Sequence, residues 1–338
     1  MDYRQVLEQA RNNIGPNCKA CRECNGLACG NIIPGPGSKP PGNGAHTNWK
    51  AWQDIKLNMD VIAESSPVDT SVELFGRKLS LPLITGPVGA LTGQYKPGDD
   101  VVDFNKQVCI ACSEIGAAGS FGDGMDGGPT FENSLALSEE YGGVSIPIIN
   151  PYSDDYILER IELANKAKPM AVGVVVDSAG LPHLRKRGKG GTKTVEQLKA
   201  FRARCELPFI VKGVMTAKAA MQAVEAGADA IIVSNHGGRV LPYAPATAEV
   251  LPEIAEAVKG KVKIIVDGGI RSGADIFKAL APGADAVMIC RPVIVSYYGA
   301  GAEGVKCYFE KLRDELDDVM YMCGARKLSD INREMIRV

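Results

Sequence analysis

Nothing in this 338-residue chain is apolar over a long enough stretch to be a membrane helix, since no hydrophobic run approaches the ~20 residues a bilayer crossing requires. The start, MDYRQVLEQARNN, is polar and amphipathic and lacks the apolar stretch of a secretory leader, which predicts a cytoplasmic protein. A charge excess is also missing. Lys and Arg total 38 against 40 Asp and Glu, a formal net charge of −2, so no electrostatic footprint points to nucleic acid or an anionic membrane. Histidine is scarce, with only His46, His183 and His236. No G-x-G-x-x-G turn follows the first apolar run, as an open dinucleotide-binding sheet would show. What remains, 45% hydrophobic and 23% charged residues, is ordinary globular composition, long enough for one large domain or two average ones.

Cysteine, by contrast, is plentiful. Ten are present, and Cys18, Cys21, Cys24 and Cys29 fall within twelve residues. A reducing compartment disfavours disulfides, so this cluster points to metal or redox chemistry. The spacing C-x2-C-x2-C-x4-C is one residue longer in its last gap than a bacterial ferredoxin run and lacks the proline that follows it. Four thiolates would equally suit a structural zinc, and unligated thiols in an arm are the bland alternative. Cys109 and Cys112, three apart on an expected helix, read as core thiols.

The texture divides the chain near residue 80. Residues 1–80 hold the cysteines, then GNIIPGPGSKPPGNGA, too rich in Gly and Pro for a helix or strand interior, then VELFGRKLS, a strand-turn-strand. Residues 81–338 have a rhythm. Short apolar runs at 81–85, 116–120, 146–150, 171–176, 208–212, 230–234, 263–267 and 286–290 alternate with amphipathic segments such as DYILERIELANKA, TVEQLKAFRARC and GADIFKALAPGA. Apolar strands each followed by a helix imply a parallel sheet covered by helices. Eight such units over roughly 250 residues predict a (β/α)8 TIM barrel, with residues 1–80 as a Cys-rich, Gly/Pro-rich extension over it.

Barrels keep their chemistry where strands end. The third run ends in Asn150-Pro151-Tyr152, the fourth in Asp177 and the fifth in Lys212-Gly213. The sixth ends in Ser234-Asn235-His236-Gly237-Gly238-Arg239, the seventh in Asp267-Gly268-Gly269-Ile270-Arg271 and the eighth in Cys290-Arg291. Gly268 and Gly269 alone would be only a tight turn, but with Arg271 and Arg291 beside them a phosphate site is the better reading. Lys212 at the barrel mouth needs an anion or an electron-rich partner, and an ion pair with Asp177 or Asp267 would serve as well. A lone histidine is more often structural than catalytic. His236, however, lies between a strand end and two glycines, with Asp177 as a candidate partner and Arg239 as a carboxylate clamp. His46 and His183 read as solvent-exposed loop residues.

These motifs carry a resemblance. SNHGGR (234–239), PYAPATAEVLPEI, DGGIRSGADIFKALAPGADAV (267–287) and RPVI (291–294) resemble the FMN-dependent 2-hydroxy-acid oxidase and dehydrogenase family, which includes glycolate oxidase, lactate oxidase and flavocytochrome b2. The likeness is nearly gapless from Leu207 to about Ile331 and looser from Leu81 to Asp177. It implies oxidation of a lactate- or glycolate-like 2-hydroxy acid to the 2-oxo acid, with two electrons passing to FMN. By the same resemblance His236 is the base, Asp177 its partner, Arg239 the carboxylate grip, Tyr152 a substrate-facing group and Lys212 the cation beside the flavin. Asp267, Gly268, Gly269, Arg271, Cys290 and Arg291 match ribityl and phosphate contacts. Pro87, Val88 and Gly89 match the backbone under the flavin ring. Asn150, where the family usually has glutamine, and Ser234 complete the cofactor set. A homo-oligomer, tetramer or octamer, is implied as well, and an iron–sulfur cluster would add a protein electron acceptor.

The departures fall on the substrate side. The family's N-terminal tyrosine pair has no counterpart in GNIIPGPGSKPPGNGA, Val175 replaces a threonine, and the serine after the second strand has only Ser120 as its nearest candidate. A second substrate arginine would be Arg185 or Arg187, and only 34 residues separate Asp177 from Lys212, so the long fourth loop is largely missing. Two other functions compete: an FMN isomerase of the type 2 isopentenyl diphosphate isomerase kind, disfavoured by the His236/Arg239 pair, and a flavin electron-transfer subunit with relic catalytic residues.

Overall fold

A computed structural model describes residues 1–124, 128–182, 184 and 190–338. Helix α1 (Tyr3–Asn13) and helix α2 (Gly44–Asp54) flank the cysteine segment and the Gly/Pro-rich arm. Strand β1 (Lys56–Leu57) pairs antiparallel with the chain's last strand, and β2 (Val72–Leu74) with β3 (Arg77–Leu79). The latter pair is the expected strand-turn-strand. Its two-residue turn, Phe75-Gly76, has φ of 50° and 71°, the doubly positive backbone that matches strand twist.

Eight parallel strands follow: β4 (Leu83–Thr85), β5 (Gly119–Gly122), β6 (Ser145–Ile149), β7 (Val172–Val175), β8 (Phe209–Val214), β9 (Ala230–Val233), β10 (Lys263–Asp267) and β11 (Ala286–Ile289). They pair in the order β4-β11-β10-β9-β8-β7-β6-β5, and a parallel bridge from Ile84 to Ala118 joins the two end strands. The expected barrel is what the chain builds. Strand β5 starts three residues later than its apolar run because Gly116, at φ 75°, is the left-handed cap of helix Val101–Ile115. That helix buries Cys109 and Cys112, as their spacing predicts.

Alternation along the strands separates two apolar layers. Ile84, Ile148, Val175, Ile210, Ile232, Ile265 and Met288 point into the barrel, where Leu74 and Leu79 of the hairpin join them. Leu83, Val174, Val211, Val233, Val266 and Val287 face outward against the helices. Residues 1–80 share this outer layer through Leu7, Ala10, Ile14, Ala20, Trp52 and Ile55. Helix α1 packs on helix Arg291–Met322, where a Cβ on Gly299 would come within 2.5 Å of Val6. Burial of Val6 and Leu7 alone is worth about 1.5–3 kcal/mol each, enough to make this first helix part of the barrel's core. No helix among the described residues is long and apolar enough to cross a membrane.

Candidate active site

The strand ends place His236 and Asp177 together. Their side chains meet at 2.9 Å, His236 Nδ1 to Asp177 Oδ1, with the carboxylate more deeply buried than the ring. Two backbone features make this contact. His236 sits at φ 56°, a left-handed conformation that histidine tolerates better than most side chains, and its N–H donates to Ser234 Oγ at 3.1 Å. Across from it, β8 carries an irregularity between Lys212 and Val214. Gly213, at φ 102°, occupies that irregularity, and a Cβ there would lie 2.7 Å from the Asp177 side chain. The bulge thus turns Lys212 toward the mouth and lets Asp177 approach.

Lys212 is buried and donates to Ser234 Oγ at 2.6 Å and to Asp267 Oδ2 at 2.8 Å. It is therefore both a rim cation and one half of an ion pair, with Asp267 rather than Asp177. Burial opposes its charge, but the Asp267 and Asp177 carboxylates outweigh that and raise its pKa. Among the described residues, two buried carboxylate oxygens, Asp267 Oδ1 and Asp177 Oδ2, have no hydrogen-bond partner.

The arginines are engaged by the arm. Arg239 Nη1 donates to the carbonyls of Gly35 and Gly37, both at 2.7 Å, and Nη2 to Gln94 Oε1 at 3.4 Å. Burial, with Arg291 close by, pulls Arg239 down to about 10. Arg291 donates to Pro36 and Gly237 carbonyls at 2.9 and 2.8 Å, and Arg271 to Cys24 and Ile270 carbonyls, each at 2.7 Å. Lys39 anchors the arm through Gly180 and Val240 carbonyls at 2.8 Å. Gly268 and Gly269, at φ 94° and 89°, press on helix α2, where a Cβ on Gly269 would come within 2.4 Å of Asn48. Close packing is thus a second reason for their being glycine, beside the phosphate reading. The Pro87–Gly89 segment crosses the end of β5, with Gly122 N–H donating to the Val88 carbonyl at 3.3 Å and Gly122 packed against Gly89, and Cys290 is the N-cap of helix Arg291–Met322.

Asn150 and Tyr152 stand at the end of β6, Tyr152 edge-on to Tyr156 at 4.9 Å. The serine candidate fails. Ser120 lies inside β5, fully buried, with its hydroxyl spent on the Ile146 carbonyl at 2.7 Å. The residue that reaches the rim from this strand is Asp123. Asn150 donates to its carboxylate from the backbone N–H at 2.8 Å and from the side-chain amide, and Tyr156 from its hydroxyl at 3.3 Å. Burial raises Asp123 to about 7 against the pull of those donors. It is the third residue of FGDG (121–124) and could have been found by extending the strand-end rule one strand earlier. A second unforeseen group is Asn48 on helix α2, whose amide exchanges two bonds with that of Asn235, at 2.7 and 2.9 Å. No local pattern marks that pair.

His46 is not an exposed loop residue. It lies in helix α2, half-buried, bonded to the Asn25 carbonyl at 3.0 Å and stacked on Trp49. His183, Arg185 and Arg187 lie outside the described residues. The cysteines of the N-terminal segment are free thiols lining a cavity of about 970 Å³ together with Arg271 and Arg291. Burial, and then the neighbouring thiols, pushes Cys18 up to about 11. Among the described residues no group of three or more His, Cys, Asp or Glu side chains is gathered to hold a metal ion, so neither zinc nor iron is supported by the placement of the thiols as they stand.

Comparison with known proteins places this rim in context. The chain is 31% identical over 326 residues to a peroxisomal (S)-2-hydroxyacid oxidase of Arabidopsis thaliana, covering 86% of this chain and 87% of that one. It is 48% identical to glycolate oxidase of Spinacia oleracea over 130 residues, 38% of this chain and 35% of the relative. A crystal structure of mandelate oxidase superposes with a TM-score of 0.79 at 26% identity, covering 99% and 97% of the two chains. The FMN-dependent dehydrogenase family matches residues 37–114 and 157–338, and the chain belongs to that family.

Proposed function

We propose that this protein oxidises a small, lactate- or glycolate-like 2-hydroxy acid to the 2-oxo acid, with FMN seated across the C-terminal ends of the strands. The observation that carries this reading is the 2.9 Å His236–Asp177 pair, set on the same rim as Lys212, Arg239 and Arg291. The residues present fit the flavin. Asp267 Oδ1 is a buried acceptor awaiting a hydroxyl donor such as a ribityl chain carries. Lys212 offers a charge to an electron-rich ring edge, and Arg271 and Arg291 offer theirs to a phosphate. Asn150, Ser234, the Pro87–Gly89 backbone, Gly268, Gly269 and Cys290 complete the proposed seat. FMN, when bound, supplies the two-electron acceptor.

The chain's own groups divide the remaining work. With Nδ1 tied to Asp177, His236 turns Nε2 to the mouth, where it takes the substrate proton, and the carboxylate stabilises the imidazolium that results. Arg239 binds the substrate carboxylate. A charged acceptor makes a stronger bond than the Gly35 and Gly37 carbonyls that now occupy the guanidinium, so substrate displaces the arm from it. Tyr152 faces the same space. Assembly as a homo-oligomer (tetramer or octamer), a cytoplasmic location and a protein electron acceptor belong to this reading through the family resemblance alone. Of the two metal fillings that the cysteine spacing admits, iron–sulfur accords with a protein acceptor and zinc with a folded clip.

The test is an anaerobic titration of the FMN-loaded protein with a panel of 2-hydroxy acids, following the oxidised flavin band near ~450 nm. Bleaching by one acid, abolished in His236→Ala with FMN still bound, is the expected result. No bleaching by any acid would overturn the reading and favour an isomerase or an electron carrier.

A further inference from the structure

We infer that Asp123 is a positioning residue for the base: through Asn150 and Ser178 it sets the short turn that carries Asp177. That Asp177 serves a base belongs to the hydroxy-acid reading, whereas the contacts that hold it do not. Asp123 follows β5, fully buried, and three donors converge on it. Asn150 gives its backbone N–H to Oδ2 at 2.8 Å and its amide to Oδ1, and the Tyr156 hydroxyl reaches Oδ2 at 3.3 Å. A buried charge is costly unless donors answer it, so packing alone would not call for aspartate here. Only a carboxylate accepts at both oxygens and donates from neither. Tyr156 is itself braced, by the Arg160 guanidinium 4.9 Å from its ring centre.

Asn150 passes this orientation on. Its two amide hydrogens are spent, on Asp123 and on the Gly124 carbonyl at 3.3 Å, and its Oδ1 accepts from Ser178 Oγ at 3.2 Å. What Asn150 then offers the proposed flavin is acceptor capacity alone. Were the amide reversed, its oxygen would lie against a carboxylate, and the charge on Asp123 forbids that. The aspartate therefore decides which way the amide faces, and the amide decides what Ser178 meets.

Ser178 is fully buried and sits beside Asp177 in the helical turn Asp177–Gly180. Four residues without a side-chain cap do not hold a helical shape by themselves, so outside contacts must place the turn. Val176 N–H donates to the Lys212 carbonyl at 2.8 Å, Lys39 to the Gly180 carbonyl at 2.8 Å, and the Ser178 hydroxyl to Asn150. The last of these is the one made by a side chain of the turn itself. Asp177 has little hold of its own. Its Oδ1 meets His236, and among the described residues its Oδ2 has no partner. The carboxylate therefore goes where its turn goes, and Asp123, two contacts away, has a say in where that is.

The experiment is a double-mutant cycle on the FMN-loaded full chain, at a pH above the value of about 7 to which burial raises Asp123, so that it is ionised. Ser178→Ala deletes one hydroxyl, and Asp123→Asn keeps the shape but sets an amide N–H against one of the three donors. Two quantities are read. One is the limiting rate of flavin reduction by the acid that bleaches it. The other, taken without substrate, is the downfield proton NMR signal of the His236–Asp177 bond, identified by its loss in Asp177→Asn. Each single variant should lower the rate by roughly 3–10-fold, the worth of one hydrogen bond, with half-saturation little changed and the NMR signal shifted. The double variant should be no slower than the slower single, because both act through one chain of contacts. Losses that multiply, or a Ser178→Ala protein with the parent's rate and signal, would overturn the role. Should Asp123→Asn fail to fold, Asn150→Ala takes its place in the cycle. If no acid bleaches the flavin, the hydroxy-acid reading falls and the NMR signal alone decides: unshifted in both singles, it overturns the positioning role.

Discussion

The rim built by residues from 157 onward and the rim built before it follow different rules. The later part, Asp177 through Arg291, lies within the stretch matched by the FMN-dependent dehydrogenase family, and its side chains meet as strand-end logic requires. The family match skips residues 115–156, where Asp123, Asn150 and Tyr152 sit, and leaves out residues 1–36, which hold Cys18, Cys21, Cys24 and Cys29. In the matched part, polar side chains at the strand ends answer one another: His236 with Asp177, Lys212 with Ser234 and Asp267. In the skipped part, Asp123, Asn150 and Tyr156 answer one another, while the arm engages the matched Arg239 and Arg291. The lesson is that the strand-end pairs on which the proposed proton transfer and flavin seat rest are held to one geometry. The proposed substrate side departs instead, in the skipped residues and in the arm that lies on Arg239.

The sharpest break of that comparison is Asp177→Asn. If the matched half carries the chemistry, flavin reduction by the hydroxy acid slows on the order of 10²–10⁴-fold, with FMN still bound. An amide in that position can no longer stabilise the imidazolium. Stopped-flow measurement of flavin bleaching checks it, and an unchanged rate would move the base elsewhere.

Arg239 tests where the two halves meet, since a matched residue is engaged by the arm at Gly35 and Gly37, the edge of the family match. Arg239→Lys removes the planar fork and leaves one point charge. Loss of a charged hydrogen bond is worth about 1.5–3 kcal/mol, so half-saturation for the acid rises by roughly 10–100-fold, while the limiting rate changes less. Unchanged saturation together with a loosened arm would show that Gly35 and Gly37 are the partners that matter.

These expectations also mark how far the sequence could be read. All eight barrel strands were visible as apolar runs, because a parallel strand buried on both faces needs no polar alternation to be recognised. His236, Asp177 and Lys212 were legible because strand ends in a barrel converge on one rim. Asp123 was missed for a local reason. The left-handed Gly116 delays β5 by three residues, so the rim position falls on Asp123 rather than near Ser120. His46 was misread because the arm's glycines and prolines hide a helix that begins at Gly44. The arm's contacts with Arg239 and Arg291 run through backbone carbonyls, which no side-chain pattern records.

Asp123 gives a pH test of the unmatched half. Burial raises its carboxyl to about 7, while an unfolded aspartic acid titrates near ~4. Between those values the folded chain keeps a proton that the unfolded chain has lost, so this group's contribution to stability falls as pH rises through about 4 to 7 and is level above. Asp123→Asn keeps the shape and removes the titration. The drop in Tm from pH 5 to pH 8 should be smaller in the variant by several degrees. Parallel curves would mean that the Asn150 and Tyr156 donors hold the carboxylate charged throughout.

The smallest expected effect is the most direct on whether the arm belongs to the barrel. Asn48 is buried on helix α2, and its Oδ1 accepts from Asn235 Nδ2 at 2.9 Å and from Thr247 N–H at 3.2 Å. Asn48→Ala strands the Thr247 N–H and leaves Asn235 Nδ2 only its bond to the Pro245 carbonyl, at a cost of about 1–3 kcal/mol. Asn235 immediately precedes the proposed base, and Leu7, Trp52 and Ile55 share the barrel's outer apolar layer. The loss should therefore appear as a lower Tm of one cooperative transition, with no separate early phase. If residues 30–43 instead became protease-sensitive while the main transition stayed where it was, the arm would be an attachment that closes over a finished barrel. The difference between the two halves of the rim would then be one of stability as well as of sequence.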